Sequence, residues 1–163
     1  MSVEGGNFQG VKAWRWGPNI ICRTGWEKYQ GLLMDYLASQ EKRLLKNEKE
    51  ISDLMHLFWE HCKTHYGLVN YQAGSNSIPW LNMDSDFMVV NGNGIFLVAT
   101  DLSVARYNRF HATGSGRDWA LGAASALYDK KSETARAIAR QAAKIACAYN
   151  VHCGGQLKLL EVR

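Results

Sequence analysis

Several groups of residues in this chain have the types and spacing that chemistry needs. Gly114-Ser115-Gly116 sets a hydroxyl between two glycines just before an alanine-rich run. The N–H groups of such a turn at a helix start can hold an anion. No lysine-serine pair follows to complete a phosphate loop, so nucleotide binding is not expected. In the plainer reading Ser115 is a turn residue that caps the helix after it. Cys153 stands beside His152, a thiol next to a base, but neighbours on extended chain point to opposite faces. A buried, inert cysteine is the expectation there. His61 and His65 lie four residues apart with Glu60 adjacent and His56 upstream. The spacing formally suits a metal, yet the glutamate is not placed as in an HExxH helix. The pair also falls near a helix C-terminus, where imidazoles suit the dipole. A structural role is expected, with no metal and no cofactor. Lys12, on a strand, reads by itself as a solvated side chain.

These residues need elements to position them. Val11 to Trp16 alternates as a strand, Gly17-Pro18-Asn19 is a turn, and Ile20-Ile21-Cys22 continues as a short buried strand ending at Gly25. From Trp26, the apolar positions Tyr29, Leu33, Tyr36, Leu37 and Leu44 predict one helix reaching almost to Asn47. Asn47 then caps a second helix, with Glu50 in capping-box position and Ile51, Leu54, Met55, Phe58 and Cys62 on one face. A polar loop around Gly74-Ser75-Asn76-Ser77 follows. Phe87–Val90 and Ile95–Ala99 flank Asn91-Gly92-Asn93-Gly94, whose residues tolerate the positive φ of a tight hairpin. Arg106–Ala112 predicts a further strand, then two helices over 118–128 and 132–148, the latter capped by Ser132. Gln156–Val162 alternates and reads as a closing strand. Helix pairs returning to antiparallel strands suggest two sheets face to face, each covered outside by a helix pair.

The totals narrow the class. A chain of 163 residues, 47% hydrophobic and 21% charged, reads as one domain, 1–163, with a substantial core. No apolar run approaches the roughly 18 residues that span a bilayer, and Met1-Ser2-Val3-Glu4 lacks the basic and apolar regions of a signal peptide. A net charge of +4, spread along the chain, indicates neither nucleic acid nor membrane as a partner. Four cysteines without paired spacing suit reduced thiols in a cytoplasm. The six tryptophans are scattered at core spacings and form no platform for bases.

From about Val11 to Val162 the chain resembles the proteasome β-subunit family, which includes the HslV-type ring proteases. The resemblance is carried by Gly10-Val11-Lys12, Cys22-Arg23-Thr24-Gly25, the Asn91-Gly92-Asn93-Gly94 hairpin, Thr113-Gly114-Ser115-Gly116 and Tyr149-Asn150-Val151-His152-Cys153-Gly154-Gly155. It implies an α+β fold, a four-layer αββα sandwich of the N-terminal-nucleophile (Ntn) hydrolase type. It implies a peptidase in which an N-terminal threonine attacks and its own free amine handles the proton. By position, Lys12 matches the lysine that lowers local proton affinity, Gly25 the oxyanion glycine and Ser115 the network serine. Asn150 and Cys153 stand where many members have aspartate and serine, so a charge is lost and a weaker donor gained. Arg23, near the family's specificity pocket, would favour acidic substrate side chains.

The resemblance also implies that strands bearing the threonine and an aspartate should precede Lys12 by much more than the eleven residues present. The first strands are therefore expected to be missing or replaced, leaving the nucleophile unknown. Removal of Met1 would expose Ser2, whose hydroxyl and amine suit the same mechanism. Two functions are expected from this pattern: a threonine-type peptidase subunit that is catalytically incomplete as it stands, and a catalytically silent ring or scaffold protein of the same fold. The expected partners are copies of itself in a ring, a strand-donating chain that covers the open sheet edge, an unfoldase, and a peptide substrate where activity survives.

Overall fold

Strand β1 (Ala13–Trp16) turns at Gly17-Pro18 into β2 (Asn19–Gly25), with Trp14 opposite Ile21 and Trp16 opposite Asn19. Gly17 takes φ +57, the left-handed conformation that glycine adopts without a Cβ penalty. The structure, a computed structural model, describes residues 12–67, 83–130 and 132–162. After β2 come α1 (Glu27–Ala38) and α2 (Glu48–Tyr66), then β3 (Ser85–Asn91), β4 (Gly94–Val98) and β5 (Val104–Tyr107). The last elements are α3 (Arg117–Tyr128) and α4 (Ala135–Tyr149). All five strands form one antiparallel sheet in the order β1-β2-β3-β4-β5. Asn91 pairs with Gly94 across the Gly92-Asn93 turn, the hairpin that the asparagines and glycines predict.

The sheet's two faces differ. Ile21, Phe87, Val89, Phe96 and Val98 are buried together with Leu33, Leu37, Ile51, Leu54, Met55 and Phe58 of α1 and α2. Trp16 Nε1 donates to Leu37 O at 2.9 Å, giving this buried indole the partner it needs. The opposite face carries Cys22, Met88, Val90, Ile95 and Leu97, half-buried, and Ile20, buried. Apolar residues on both faces mark a sheet meant to be covered twice. Helices α3 and α4 pack on each other through Ala124, Ile138 and Ala142, with Phe110 and Leu127 beside them. Between that pair and Val90 and Ile95 lies an apolar cleft of about 420 Å³.

Among the described residues the strands form one five-stranded antiparallel sheet with four helices, a mixed α/β fold. Several expectations are corrected. Gln156–Val162 forms no strand and instead lies along β1: Lys158 Nζ donates to Ala13 O at 2.9 Å and Arg15 donates to Glu161 O. Helix α1 stops at Ala38, where Ser39 Oγ donates to Tyr36 O at 2.7 Å, rather than running to Asn47. The chain then runs without helix so that Leu45, not Leu44, is fully buried. Asn47 caps α2 as expected, accepting from Glu50 N at 2.9 Å, while the Glu50 carboxylate accepts from Lys46 N. The cap of α4 is Thr134 rather than Ser132, and β5 is confined to Val104–Tyr107. Met1, Ser2, Gly10, Val11 and the loop around Gly74 lie outside the described residues, as does any covering of the sheet edge by residues 1–10.

Candidate functional site

A cavity of about 470 Å³ opens where the start of β1, the end of β2, the 113–116 turn and the chain after α4 meet. Lys12, Arg23, Gly25, Ser115 and Cys153 all line it. Sequence-distant segments are thus gathered by strand pairing and by the return of the α3–α4 hairpin. Lys12 is exposed at the head of β1, and its carbonyl accepts from Arg23 N at 3.0 Å, which fixes the two side by side. Gly25 takes φ +92; a Cβ there would stand 2.3 Å from Asp84 O, so only glycine fits between β2 and β3 at this point.

Arg23 is only 7% exposed. Its Nε donates to Gln30 Oε1 of α1, and its Nη1 donates to Gly25 O at 2.7 Å. The next peptide N–H, that of Trp26, donates to the buried Ser85 Oγ at 3.0 Å. The Gly25–Trp26 peptide unit is therefore held at both ends by buried side chains. Among the described residues Arg23 makes no ion pair, and no carboxylate lines the cavity. A buried guanidinium with neutral partners only is an incompletely compensated charge, which an incoming carboxylate would neutralise.

On the far wall Ser115 does not cap α3. Gly116 occupies the N-cap position without a side-chain bond, and Ser115 Oγ lies 3.5 Å from Cys153 Sγ. Asn150 sits one step behind the wall, where its Nδ2 donates to Ser115 O at 2.7 Å and its Oδ1 accepts from His152 N at 2.9 Å. Gly116 is a close-approach glycine: a Cβ would meet Cys153 Sγ at 2.6 Å and Ala146 Cβ at 3.0 Å. That contact explains part of the alanine content of α4, since Ala143 and Ala146 also line the cavity.

Residues that sequence reasoning left without a role join these. Thr24 and Thr113 line the cavity, their hydroxyls 3.1 Å apart, and Thr113 Oγ1 donates to Asp86 Oδ2 at 3.1 Å. No local pattern signals this trio, because the residues come from β2, β3 and the 113–116 turn. Cys147 lines the cavity together with Cys153, whereas Cys22 and Cys62 do not. Burial pushes Cys22 up to about 11 against a smaller opposing pull from Lys158, and burial alone takes Cys62 to about 11. Among the described residues no cluster of His, Cys, Asp and Glu could hold a metal, and no helix is long and apolar enough to cross a membrane. His61 and His65 stack with ring centroids 4.0 Å apart on α2.

The fold is similar to that of solved structures that include an HslV. It superposes on Thiobacillus denitrificans BPH with TM-score 0.78 and 29% identity, over 89% of this chain and 75% of that one. The same protein in complex with Epoxomicin matches equally. Eukaryotic HslV from Trypanosoma brucei shares the fold at TM-score 0.55 and 20% identity, over 88% of this chain and 75% of that one. No protein-family model and no curated protein matches the chain.

Proposed function

We propose that the chain is a subunit of a proteasome/HslV-like, threonine-type peptidase and that the cavity is its peptide cleft. The observation that carries this reading is the meeting of Lys12, Arg23, Gly25, Ser115 and Cys153 around one opening. The likeness to a protein known in complex with Epoxomicin supports it. In this reading Lys12 lowers the proton affinity of the attacking group, and the Gly25 N–H receives the developing oxyanion. Arg23 draws an acidic substrate side chain. Ser115, Asn150 and Cys153 hold the turn that forms the far wall. None of the described lining residues is a chain terminus, so the attacking hydroxyl and amine come from outside them; Ser2 freed of Met1 is the candidate within this sequence. The subunit acts as a homo-oligomer in the cytoplasm, fed by an unfoldase.

A silent, self-assembling relative is the second reading, and Asn150 favours it. Both polar atoms of that side chain are spent on backbone partners, a structural use of the position. The exposed stack of Trp119 on Tyr149, 5.1 Å between centroids, offers such a protein an aromatic contact.

Turnover of fluorogenic peptides by the assembled protein, faster with acidic than with basic residues before the cleaved bond and abolished by Lys12→Ala, is the expected result. The native mass should be a multiple of 18.3 kDa. No turnover in a well-assembled sample selects the scaffold reading, and a monomer defeats both.

A further inference from the structure

Thr24 precedes Gly25, the last residue of β2, and lines the cavity from the sheet face opposite to Arg23. Strand register sets Asp86 directly across from it. Thr113 bridges the two, donating to Asp86 Oδ2 at 3.1 Å with Thr24 Oγ1 3.1 Å away. A hydroxyl has one proton and two acceptor sites. With the Thr113 proton committed to the carboxylate, the bond between the threonines must run from Thr24 to Thr113. The proton of Thr24 is then directed away from any ligand, and its oxygen keeps only lone pairs to offer. Each bond in such a chain polarises the next, so the terminal oxygen is a better acceptor than a free hydroxyl. Rotation of Thr24 is also restricted: its Cγ2 packs so closely on Gly114 that a Cβ there would approach to 2.9 Å.

From this proton order we infer that Thr24 Oγ1 is a fixed hydrogen-bond acceptor for a backbone N–H of a peptide in the cavity, with Thr113 and Asp86 as positioning residues. Lys12 and Arg23, on the same cavity, can only donate. A peptide presents N–H groups as well as carbonyls, and Thr24 supplies the acceptor that the two cations lack. The inference rests on the cavity being a peptide site and adds the residue that orients the peptide chain within it.

The test is calorimetric binding of acetyl-Ala-Ala-Asp-amide to the full chain, beside depsipeptides in which each backbone N–H in turn is replaced by an ester oxygen. One depsipeptide should bind about fivefold more weakly than the parent, the scale of one net hydrogen bond. Thr24→Val should weaken the parent by the same factor and no longer distinguish that depsipeptide from it. Thr24→Ser should restore the discrimination. Thr113→Val, which breaks the chain but keeps Thr24, should shrink it. Parent binding unchanged in Thr24→Val, or equal binding of all depsipeptides to the wild type, overturns the inference while leaving the peptide site standing. No binding of the parent peptide to the wild type overturns both. Thr24→Ser and Thr113→Val carry the test if Thr24→Val folds poorly.

Discussion

The four cysteines are chemically unequal, and their surroundings say why. Cys22 and Cys62 sit in apolar surroundings that raise both to about 11, so at pH 8 about one in a thousand of each is thiolate. Cys153 lies on the cavity wall. Iodoacetamide at pH 8, followed by mass spectrometry, should label Cys153 at least about tenfold faster than Cys22 or Cys62 in the folded protein, because burial suppresses the thiolates of those two while Cys153 lies on the cavity wall. In urea the difference should vanish. Arg23 illustrates how far a single residue can be read ahead of its structure. Its neighbourhood to Gly25 follows from adjacency on one strand. Its use of Gln30 and the Gly25 carbonyl required the position of α1, which no local pattern encodes.

At the scale of elements, the segment between α1 and α2 is fastened to the sheet by two buried amides. Asn19 Nδ2 donates to Arg43 O at 2.7 Å, its Oδ1 accepts from Leu45 N at 3.1 Å, and Asn91 Nδ2 donates to Asn19 Oδ1 at 2.9 Å and Leu45 O at 2.8 Å. Asn91→Leu leaves the buried Leu45 carbonyl without this donor and should cost about 2–3 kcal/mol in urea unfolding. This amide pair is also why the sequence misleads there. Apolar spacing from Tyr29 to Leu44 continues a helical pattern, but the asparagines win by pulling Leu45 into the core in non-helical chain. Where the signal was backbone chemistry rather than periodicity, it was legible. The Asn91–Gly94 hairpin, the Asn47 cap and the Gly114–Gly116 turn each depend on residue types that allow positive φ or cap a helix where few others can. The Thr24–Thr113–Asp86 trio was not legible, since it is assembled by strand register and a returning loop.

Across the whole molecule, α1 and α2 cover one side of the sheet and the α3–α4 hairpin approaches the other, with His111 at that junction. Its ring stacks on Tyr107 at 3.8 Å, and its Nε2 has no hydrogen-bond partner among the described residues. Burial holds His111 below its ordinary 6.5, Arg117 pushes the same way, and Asp86 opposes them. The unfolded chain therefore takes up this proton first as pH falls. The associated stability is complete above about 6.5 and is lost as pH drops through the lowered folded value. Between pH 7.5 and 5 the urea midpoint of the wild type should fall more than that of His111→Phe; equal falls would remove His111 from the account. The two-sided apolar character of the sheet was readable in the strands, whereas the course of 156–162 was not, because its alternation fits a strand but does not supply a pairing neighbour.

The register of the sheet's middle has a kinetic consequence. Ile20 pairs with Val90 across a span that contains both α1 and α2, whereas β1–β2 and β3–β4 are joined by tight turns. Closing so long a loop costs more entropy than closing either turn. The order of assembly is thereby set: two hairpins form locally and early, and their docking through β2 and β3 is the slow event, rewarded only when Phe58 and its helical neighbours arrive to seal the seam.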